Sequence, residues 1–354
     1  MTVDDGLLKE LCLAPGPSGF EAPAQEVVRA RLAALGAVRA DALGNVWAAV
    51  GPGGAPRVAV VAHVDQIGLI VTHVDEHGYL FVDKIGGVAP VLVPGRHFVV
   101  HGAAGPVQAV GGKKPSHIIP EAERNAAPPL DEQFLDIGAT TAEEALRRVA
   151  IGDPVTFAPD FVQLAPGVVA AQALDDRAGV YSMIRALELY AAAPGAAELT
   201  GVATVHEETT FMGAKARARL MEADVLVVVD GDFCSDTPAA DAKRLAGEVR
   251  LGAGPVLGRG AGSNQGLLAL AREVAAAEGI AVQIKAYPEA CSTDADELMA
   301  TGAATLSLSI PMRYMHSPFE VAHTDDLKAT ALLVAALARR AGEVWAGDSF
   351  EPRA

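Results

Sequence analysis

The chain has 354 residues, just over half of them hydrophobic, which is enough for a large core in one or two domains. Its formal net charge of −16 argues against nucleic acid or an anionic membrane as partner, because phosphate contacts need clustered Lys and Arg. The three cysteines lack C-x-x-C spacing, which argues against a disulfide framework or a structural zinc finger. With neither a signal-peptide pattern nor an apolar run of membrane-spanning length, the sequence predicts a cytoplasmic protein.

The N-terminal part of the chain predicts two helices followed by two strands. Apolar spacing indicates helices over residues 7–13 and 21–35, each preceded by residues suited to capping. Valine- and alanine-rich runs at residues 44–50 and 57–63 indicate strands. The intervening Gly51-Pro-Gly-Gly is turn chemistry, so the two strands are predicted to form a hairpin.

From about residue 69 to residue 165 the pattern changes to short alternating runs separated by Gly and Pro. This spacing is typical of a small all-β barrel or sandwich. A polar, proline-bearing loop is predicted over residues 113–129 and a short helix over residues 141–148.

The α/β pattern resumes near residue 166. Further helices are predicted over residues 177–191, 214–221, 264–278 and 323–341. The sequence therefore predicts an α/β fold with a mostly parallel sheet and an inserted small all-β domain. The α/β domain comprises residues 1–68 and 166–354, and the insert comprises residues 69–165.

Several short apolar runs of this sequence lead into acidic residues or histidine. Such runs predict buried parallel strands, whose carboxyl ends meet at one edge of a sheet, so these side chains are expected to converge there. Two imidazoles with several carboxylates suit borderline divalent ions such as zinc or cobalt better than magnesium. The residues are His63, Asp65, Asp175, Asp176, Glu207, Glu208, Asp230 and His316.

Two of these motifs allow more specific hypotheses. His63 and Asp65 leave a strand at a spacing of two, so their side chains point the same way, either as two ligands or as one ligand with its orienting carboxylate. Glu207 and Glu208 close an apolar run and are expected to face opposite ways, so that one binds metal while the other reaches a bound water. Taken singly, each motif also fits an exposed strand end or a surface pair.

The remaining candidates have equally ordinary explanations when considered alone. Asp175 and Asp176 precede Arg177 and suit a helix N-cap with a flanking ion pair. Asp230 suits a cap or a turn, and His316 suits a turn before Ser-Pro. The metal hypothesis therefore rests on the whole set of residues.

A series of motifs along nearly the whole chain resembles the tetrahedral aminopeptidases, a family of dinuclear metallopeptidases also labelled glutamyl or deblocking aminopeptidases or endoglucanases. The resemblance implies a phosphorylase/hydrolase-like fold. The motifs are Pro17-Ser-Gly-Phe-Glu21, Asp41-Ala-Leu-Gly-Asn45, Ala62-His-Val-Asp-Gln-Ile-Gly68, Lys114-Pro-Ser-His117, Asp136-Ile-Gly-Ala139, Leu174-Asp-Asp-Arg-Ala-Gly179, Glu207-Glu208 with Gly213-Ala214, Asp230 with Asp236-Thr-Pro238, Ser292-Thr-Asp-Ala295 and Tyr314-Met-His-Ser-Pro-Phe-Glu320.

The resemblance implies a site with two divalent metal ions per subunit, zinc or cobalt and possibly manganese. Asp175 would bridge both ions. His63 and Asp230 would complete one metal, and Glu208 and His316 the other.

The resemblance also implies roles for two further residues. Glu207 would be the general base, and Asp65 would orient His63. The peptide bond after Asp175 would be cis. Gln66 stands where such proteins usually have glutamate, and Thr209-Thr210 departs from a glycine-bearing stretch, which leaves the pocket shape open.

The implied activity is removal of N-terminal amino acids from short, unblocked peptides. The implied assembly is a homo-oligomer, a dimer at least, built through the inserted domain and extended to a tetrahedral dodecamer. Two alternatives compete with this interpretation. One is another metal-dependent hydrolase such as an endoglucanase, although glycosidases normally use two carboxylates without metal and this chain has few aromatics to stack on sugars. The other is a non-catalytic scaffold assembled by metal, which would not need a free base beside the site.

Overall fold

The structure, a computed structural model, describes residues 5–119, 128–238 and 240–344. The helices are Asp5–Leu13 (α1), Ala22–Leu32 (α2), Ala142–Leu146 (α3), Leu174–Ala192 (α4), Glu207–Thr210 (α5), Met212–Ala218 (α6), Gln265–Glu278 (α7), Asp294–Leu298 (α8) and Thr324–Val344 (α9). The strands are Arg39–Ala40 (β1), Val46–Val50 (β2), Arg57–His63 (β3), Gly68–Val74 (β4), Leu80–Ile85 (β5), His97–Gly102 (β6), Gly105–Gly111 (β7), Phe134–Asp136 (β8), Pro154–Phe157 (β9), Phe161–Ala165 (β10), Val168–Ala171 (β11), Glu198–Thr204 (β12), Val225–Phe233 (β13), Val256–Gly260 (β14), Gln283–Tyr287 (β15), Ala304–Arg313 (β16) and Glu320–His323 (β17).

One large sheet combines strands from both ends of the chain. Its order is β1-β2-β12-β3-β13-β16-β17-β11-β10, with β14 pairing with β15 and β16. The strands β12, β3, β13 and β16 are parallel, and the pairings on either side of them in this order are antiparallel. In the branch, β14 pairs antiparallel with β16 and parallel with β15. The predicted α/β fold is confirmed, with a mixed sheet that is parallel at its centre.

The predicted hairpin at Gly51-Pro-Gly-Gly is wrong. The strand β12 lies between β2 and β3, pairing antiparallel with β2 and parallel with β3. The turn residues at Gly51 do reverse the direction of the chain. The apolar strand β3, however, lies at the centre of the sheet, where both of its faces are buried.

Burial on both faces explains the continuous apolar run of β3. Val58 and Val60 pack into the larger core beneath α1, α2, α4, α7 and α9, whereas Ala59 and Val61 pack on the opposite face against α6 and α8. This alternation is the period of two expected of a strand. None of the described helices is long and apolar enough to cross a membrane.

The strands between Gly68 and Phe157 form a separate closed barrel in the order β4-β5-β8-β7-β6-β9. Its own apolar core includes Leu69, Leu80 and Phe98. The barrel confirms an inserted all-β domain, and β10, near the end of the predicted insert, pairs with β11 in the large sheet. The exact domain boundaries at 68/69 and 165/166 stay predictions. Residues 120–127 of the predicted 113–129 loop lie outside the described residues.

Candidate active site

The carboxyl edge of the parallel strands brings the predicted site residues together. His63 is the last residue of β3, and Asp230 lies in β13 three residues before its end. Asp175 follows β11 at the start of α4, and His316 lies in the loop after β16. These positions follow from the parallel topology, because strand ends from distant parts of the sequence share one edge.

The glutamate pair departs from its predicted setting. The strand β12 ends at Thr204, and Glu207 and Glu208 begin the short helix α5 rather than closing the strand. His206 before them has φ +60, a left-handed backbone conformation that turns the chain sharply at the strand end. The two glutamates are therefore presented by a helical turn.

The two oxygens of Asp175 face two different histidines. Its Oδ1 lies 3.3 Å from His63 Nε2, and its Oδ2 lies 3.4 Å from His316 Nε2. Asp230 Oδ1 is 3.8 Å from His63 Nε2, and Glu208 Oε2 is 3.2 Å from His316 Nε2. Asp175 therefore joins two groups of donor atoms, each with one imidazole nitrogen.

This donor set fits divalent cations. In the part of the chain that the structure describes, ligand atoms within 4.8 Å of one another occur in three overlapping groups, which are His63, Glu207 and Asp230; His63, Asp175 and Glu208; and Asp175, Asp176 and Asp230. Among the described residues, Asp175 Oδ1 is buried without a hydrogen-bond partner, and so is Asp176 Oδ2. A buried carboxylate oxygen without a partner is costly, and a cation between the carboxylates and imidazoles would satisfy it.

The electrostatics of the site show the same need for positive charge. Burial raises the pKa of Glu207 to about 11, and the neighbouring Asp230 adds to this shift while His63 opposes it. Burial also holds the pKa of Asp230 well above its usual value. Hydrogen bonds with Asp175 and Glu208 raise the pKa of His316 to about 11. Acids that resist ionisation beside one another become favourable as anions once cations lie between them.

Asp65 makes more contacts than its predicted role requires. Its oxygens accept hydrogen bonds from Ser18 Oγ at 2.5 Å and from the backbone N–H groups of Glu207 and Glu208 at 3.0 and 3.1 Å. His63 Nδ1 is 3.5 Å from Asp65 Oδ1, which is long for a hydrogen bond. Asp65 thus fixes the turn that carries both glutamates, in addition to its predicted orientation of His63.

The structure adds two acids to which no role was given beforehand. Glu320 accepts hydrogen bonds from the backbone N–H groups of Asp175 and His316, both at 2.9 Å, so it holds two candidate ligands at once. Asp294 accepts a hydrogen bond from Thr204 Oγ1 at 2.5 Å, and burial raises its pKa to about 7. Both lie in motifs that carry the resemblance, which was the available signal. The peptide bond between Asp175 and Asp176 is cis, as the resemblance implies.

Comparison with known proteins identifies the family to which this site belongs. A family model described as M42 glutamyl aminopeptidase matches residues 44–333. The chain belongs to the M42 family. Members of this family are aminopeptidases, so the chain is a hydrolase of the exopeptidase class, which confirms the predicted enzyme class.

Individual M42 relatives cover nearly the whole chain. The lysyl aminopeptidase of Pyrococcus furiosus is 36% identical over 341 residues, which is 95% of this chain and 96% of that protein. The TET aminopeptidase of a marine-sediment Thaumarchaeota archaeon has a TM-score of 0.89 at 29% identity, with 95% of this chain and 96% of that one covered. The TET1 peptidase of Pyrococcus horikoshii, described as assembling into a tetrahedron or a large octahedral shell, has a TM-score of 0.85 at 30% identity, with 94% and 98% covered.

Proposed function

We propose that this M42 protein removes N-terminal amino acids from short, unblocked peptides with the help of two divalent metal ions. The observation that carries the proposal is Asp175, whose two oxygens face His63 on one side and His316 on the other. A carboxylate placed between two imidazoles in this way would be suited to hold two metal ions at once.

The ligand assignment follows the contacts that each of the two histidines makes with Asp175 and with a second acid. His63, Asp175 and Asp230 would hold one ion, and Asp175, Glu208 and His316 the other. Mixed nitrogen and oxygen donors suit zinc, cobalt or manganese. When bound, such ions polarise the scissile carbonyl and lower the pKa of water.

Glu207 is the residue to which we assign proton transfer. Its side chain is 8% exposed, and its backbone N–H is held by Asp65, so the carboxylate has a fixed place beside the ligands. Glu207 would take a proton from the attacking water and pass it to the leaving amine. Its Oε2 lies 3.8 Å from His63 Nε2, as far as Asp230 Oδ1 does, so its assignment as base rather than ligand needs a direct test.

The carboxylates around the site also favour a substrate with a positively charged N-terminus. A free peptide N-terminus carries a positive charge and would be held by a carboxylate of the sheet edge that binds no metal ion, whereas an acetylated N-terminus carries no charge to be held. This gives a physical reason for preferring unblocked peptides and for cleaving only the first bond.

The assembly proposed is a homo-oligomer, a dimer at least and a tetrahedral dodecamer in full. The assembly described for the TET1 relative supports it. The inserted barrel, which we propose as the dimerisation domain, exposes large apolar side chains that a partner subunit could cover, including Val91, Val110, Leu146 and Ile151. Native mass spectrometry of the purified chain measures the subunit number.

The activity is tested with a mixed pool of free and N-acetylated peptides, incubated with cobalt- or zinc-loaded protein and analysed by mass spectrometry. We expect stepwise loss of N-terminal residues from the free peptides alone, abolished by a chelator. Intact peptides with both metals bound would refute the peptidase proposal. Cello-oligosaccharides added to the same pool test the endoglucanase alternative, and we expect them to stay intact.

A further inference from the structure

A cavity of about 370 Å³ lies beyond the ends of β13 and β16. Most of its wall is apolar or aromatic. The lining side chains of this kind are Phe233, Cys234, Leu245, Met312, Tyr314 and Met315. The volume is more than sufficient for one amino-acid side chain and lies at the low end of the range for small-molecule sites.

This cavity adjoins the candidate metal ligands. A Cβ atom built on Gly231 would lie 2.5 Å from the Met315 methyl carbon and 3.5 Å from Asp175 Oδ1, so the side chain of Met315, which also lines the cavity, packs close to Asp175. Met315 also immediately precedes His316. The His316 side chain is 39% exposed, whereas His63 and Asp175 are almost fully buried, so the site is most open at the end nearest this cavity.

The charged side chains that line the cavity have opposite charges beside them. Arg313 makes two hydrogen bonds to Asp236, at 2.9 and 2.6 Å. Arg244 Nε lies 3.7 Å from Asp241 Oδ2. Among the described lining residues, charge is thus paired, and the Arg244–Asp241 pair at the rim is exposed to solvent. The deeper wall, which includes the buried Cys234 and Met312, offers a lysine or glutamate side chain no opposite charge. Burying an unpaired charge there would be costly.

We propose that this cavity holds the side chain of the substrate's N-terminal residue and that the preferred residue is uncharged and apolar, such as leucine, methionine or phenylalanine. The inference rests on the proposed aminopeptidase function. Only one residue precedes the bond that an aminopeptidase cleaves, so an apolar cavity next to the candidate ligands suits the side chain of that residue. The remainder of the peptide must extend towards solvent.

Aminoacyl coumarylamides test the preference, because the leaving group is constant and only the N-terminal residue varies. With the metal-loaded protein, we expect kcat/KM for the leucine, methionine and phenylalanine substrates to exceed that for lysine and glutamate by about tenfold or more, the scale of apolar pocket discrimination. A higher value for lysine or glutamate would overturn the inference while leaving the aminopeptidase function intact. Hydrolysis of none of the substrates would contradict the proposed function itself.

Phe233→Ala tests whether this cavity is the determinant. Phe233 is 51% exposed, so its truncation is compatible with folding. We expect kcat/KM for the leucine and phenylalanine substrates to fall about tenfold relative to the alanine substrate. Leu220→Ala is the matched control, because Leu220 is a 69% exposed apolar residue after α6, and this variant should leave all the ratios unchanged. A uniform loss across the substrates in Phe233→Ala would overturn the assignment.

Arg244→Gln tests the charge argument in the opposite direction. The change removes the cation beside Asp241, so the lysine-to-leucine ratio of kcat/KM should rise about threefold, the scale of an exposed ion pair. Arg272→Gln on the exposed side of α7 is the control and should not change the ratio.

Dipeptides of the forms X-Ala and Ala-X distinguish the two sides of the bond. If the Phe233 and Arg244 variants change kcat/KM only when the second residue of the dipeptide is varied, the proposal is overturned.

Discussion

The inserted barrel and the carboxyl edge of the large sheet bury different kinds of side chain. Among the described barrel strands, the buried side chains are almost all apolar, with Thr156 as a polar exception. The sheet edge instead brings the buried His63, the partly exposed His316 and a group of acids within a few ångströms of one another around Asp175. Because buried charge is costly unless it is compensated, this contrast locates the function in the sheet edge.

The barrel nevertheless touches the site, and it does so with backbone. Gly86 and Gly87 follow β5, and a Cβ atom at Gly86 would lie 3.3 Å from Glu208 Cβ. A Cβ atom at Gly87 would lie within 3.0 Å of the His316 ring. The barrel therefore supplies shape to the site, and the sheet edge supplies charge.

The strongest test of this division of roles is Glu207→Gln, which removes the proposed base and keeps the size of the side chain. We expect kcat to fall about a thousandfold, within the range for general acid–base groups, with metal content unchanged. Peptide hydrolysis and elemental analysis of the same sample measure both. Glu278→Gln at the exposed end of α7 is the control. An active, metal-loaded Glu207→Gln protein would rule out this role, and loss of metal would make Glu207 a ligand.

Gly87→Ala tests the contribution of the barrel. The added methyl group would displace the His316 ring, and a displacement near 1 Å costs about a hundredfold in activity. We expect weaker metal binding and partial recovery with excess metal. Gly53→Ala is the control, because its added Cβ meets only an ordinary contact with Glu198. Full activity of Gly87→Ala at limiting metal would show that the barrel backbone does not position the histidine.

The sequence predicted which residues form the site better than it predicted which contacts hold them in place. The parallel apolar runs that end near His63 and Asp230 were sufficient to predict that distant acids and histidines converge, because parallel strand ends share an edge. The contact between Gly87 and His316 could not be predicted, since it depends on how the barrel docks onto the sheet. The Gly51 hairpin failed for a related reason, since local turn chemistry does not specify which strand inserts between its neighbours.

The site also contains residues that hold the candidate ligands in place, a role that short motifs cannot predict. Asp65 was predicted to orient His63, yet its shortest contacts are to Ser18 and the backbone of the glutamate turn. Glu320 was part of a motif, but its position between Asp175 and His316 appears only in three dimensions. The backbone groups that Asp65 and Glu320 bind are distant in the sequence or lie across a loop, so spacing alone does not predict these contacts.

Ser18→Ala measures how much one such support contributes. Without its hydroxyl, Asp65 keeps the two backbone donors but holds the glutamate turn less firmly. We expect about a tenfold loss of kcat, the scale of one hydrogen bond to a charged group, with little change in KM and recovery in Ser18→Thr. Ser182→Ala, which removes a buried hydroxyl bonded to Ala178 O in α4, is the control. Equal losses in both variants would indicate a general packing effect.

The smallest expected effect concerns stability and compares a buried acid of α8, next to the sheet edge, with an exposed acid of the barrel. The pKa of Asp294 is about 7 in the folded chain, above its ordinary value near 3.8, so the folded state holds this proton more tightly than the unfolded state. Its contribution to stability is complete below pH 3.8 and is lost as the pH rises to about 7. Asp294→Asn removes this loss, but it places an amide N–H₂ where Oδ1 has no partner among the described residues.

We therefore expect Asp294→Asn to be no more stable than the unchanged protein near pH 4 and more stable by about 1–2 kcal/mol at pH 8, after the unpaired amide offsets part of the gain. Urea unfolding in the presence of a chelator, between pH 4 and pH 8, gives the difference without a contribution from metal release. Asp83→Asn on the exposed surface of β5 should stay within about 0.5 kcal/mol at every pH. If the two variants show the same pH dependence, burial of Asp294 does not limit the stability of the sheet edge. The contrast between the sheet edge and the barrel would then be confined to the metal ligands.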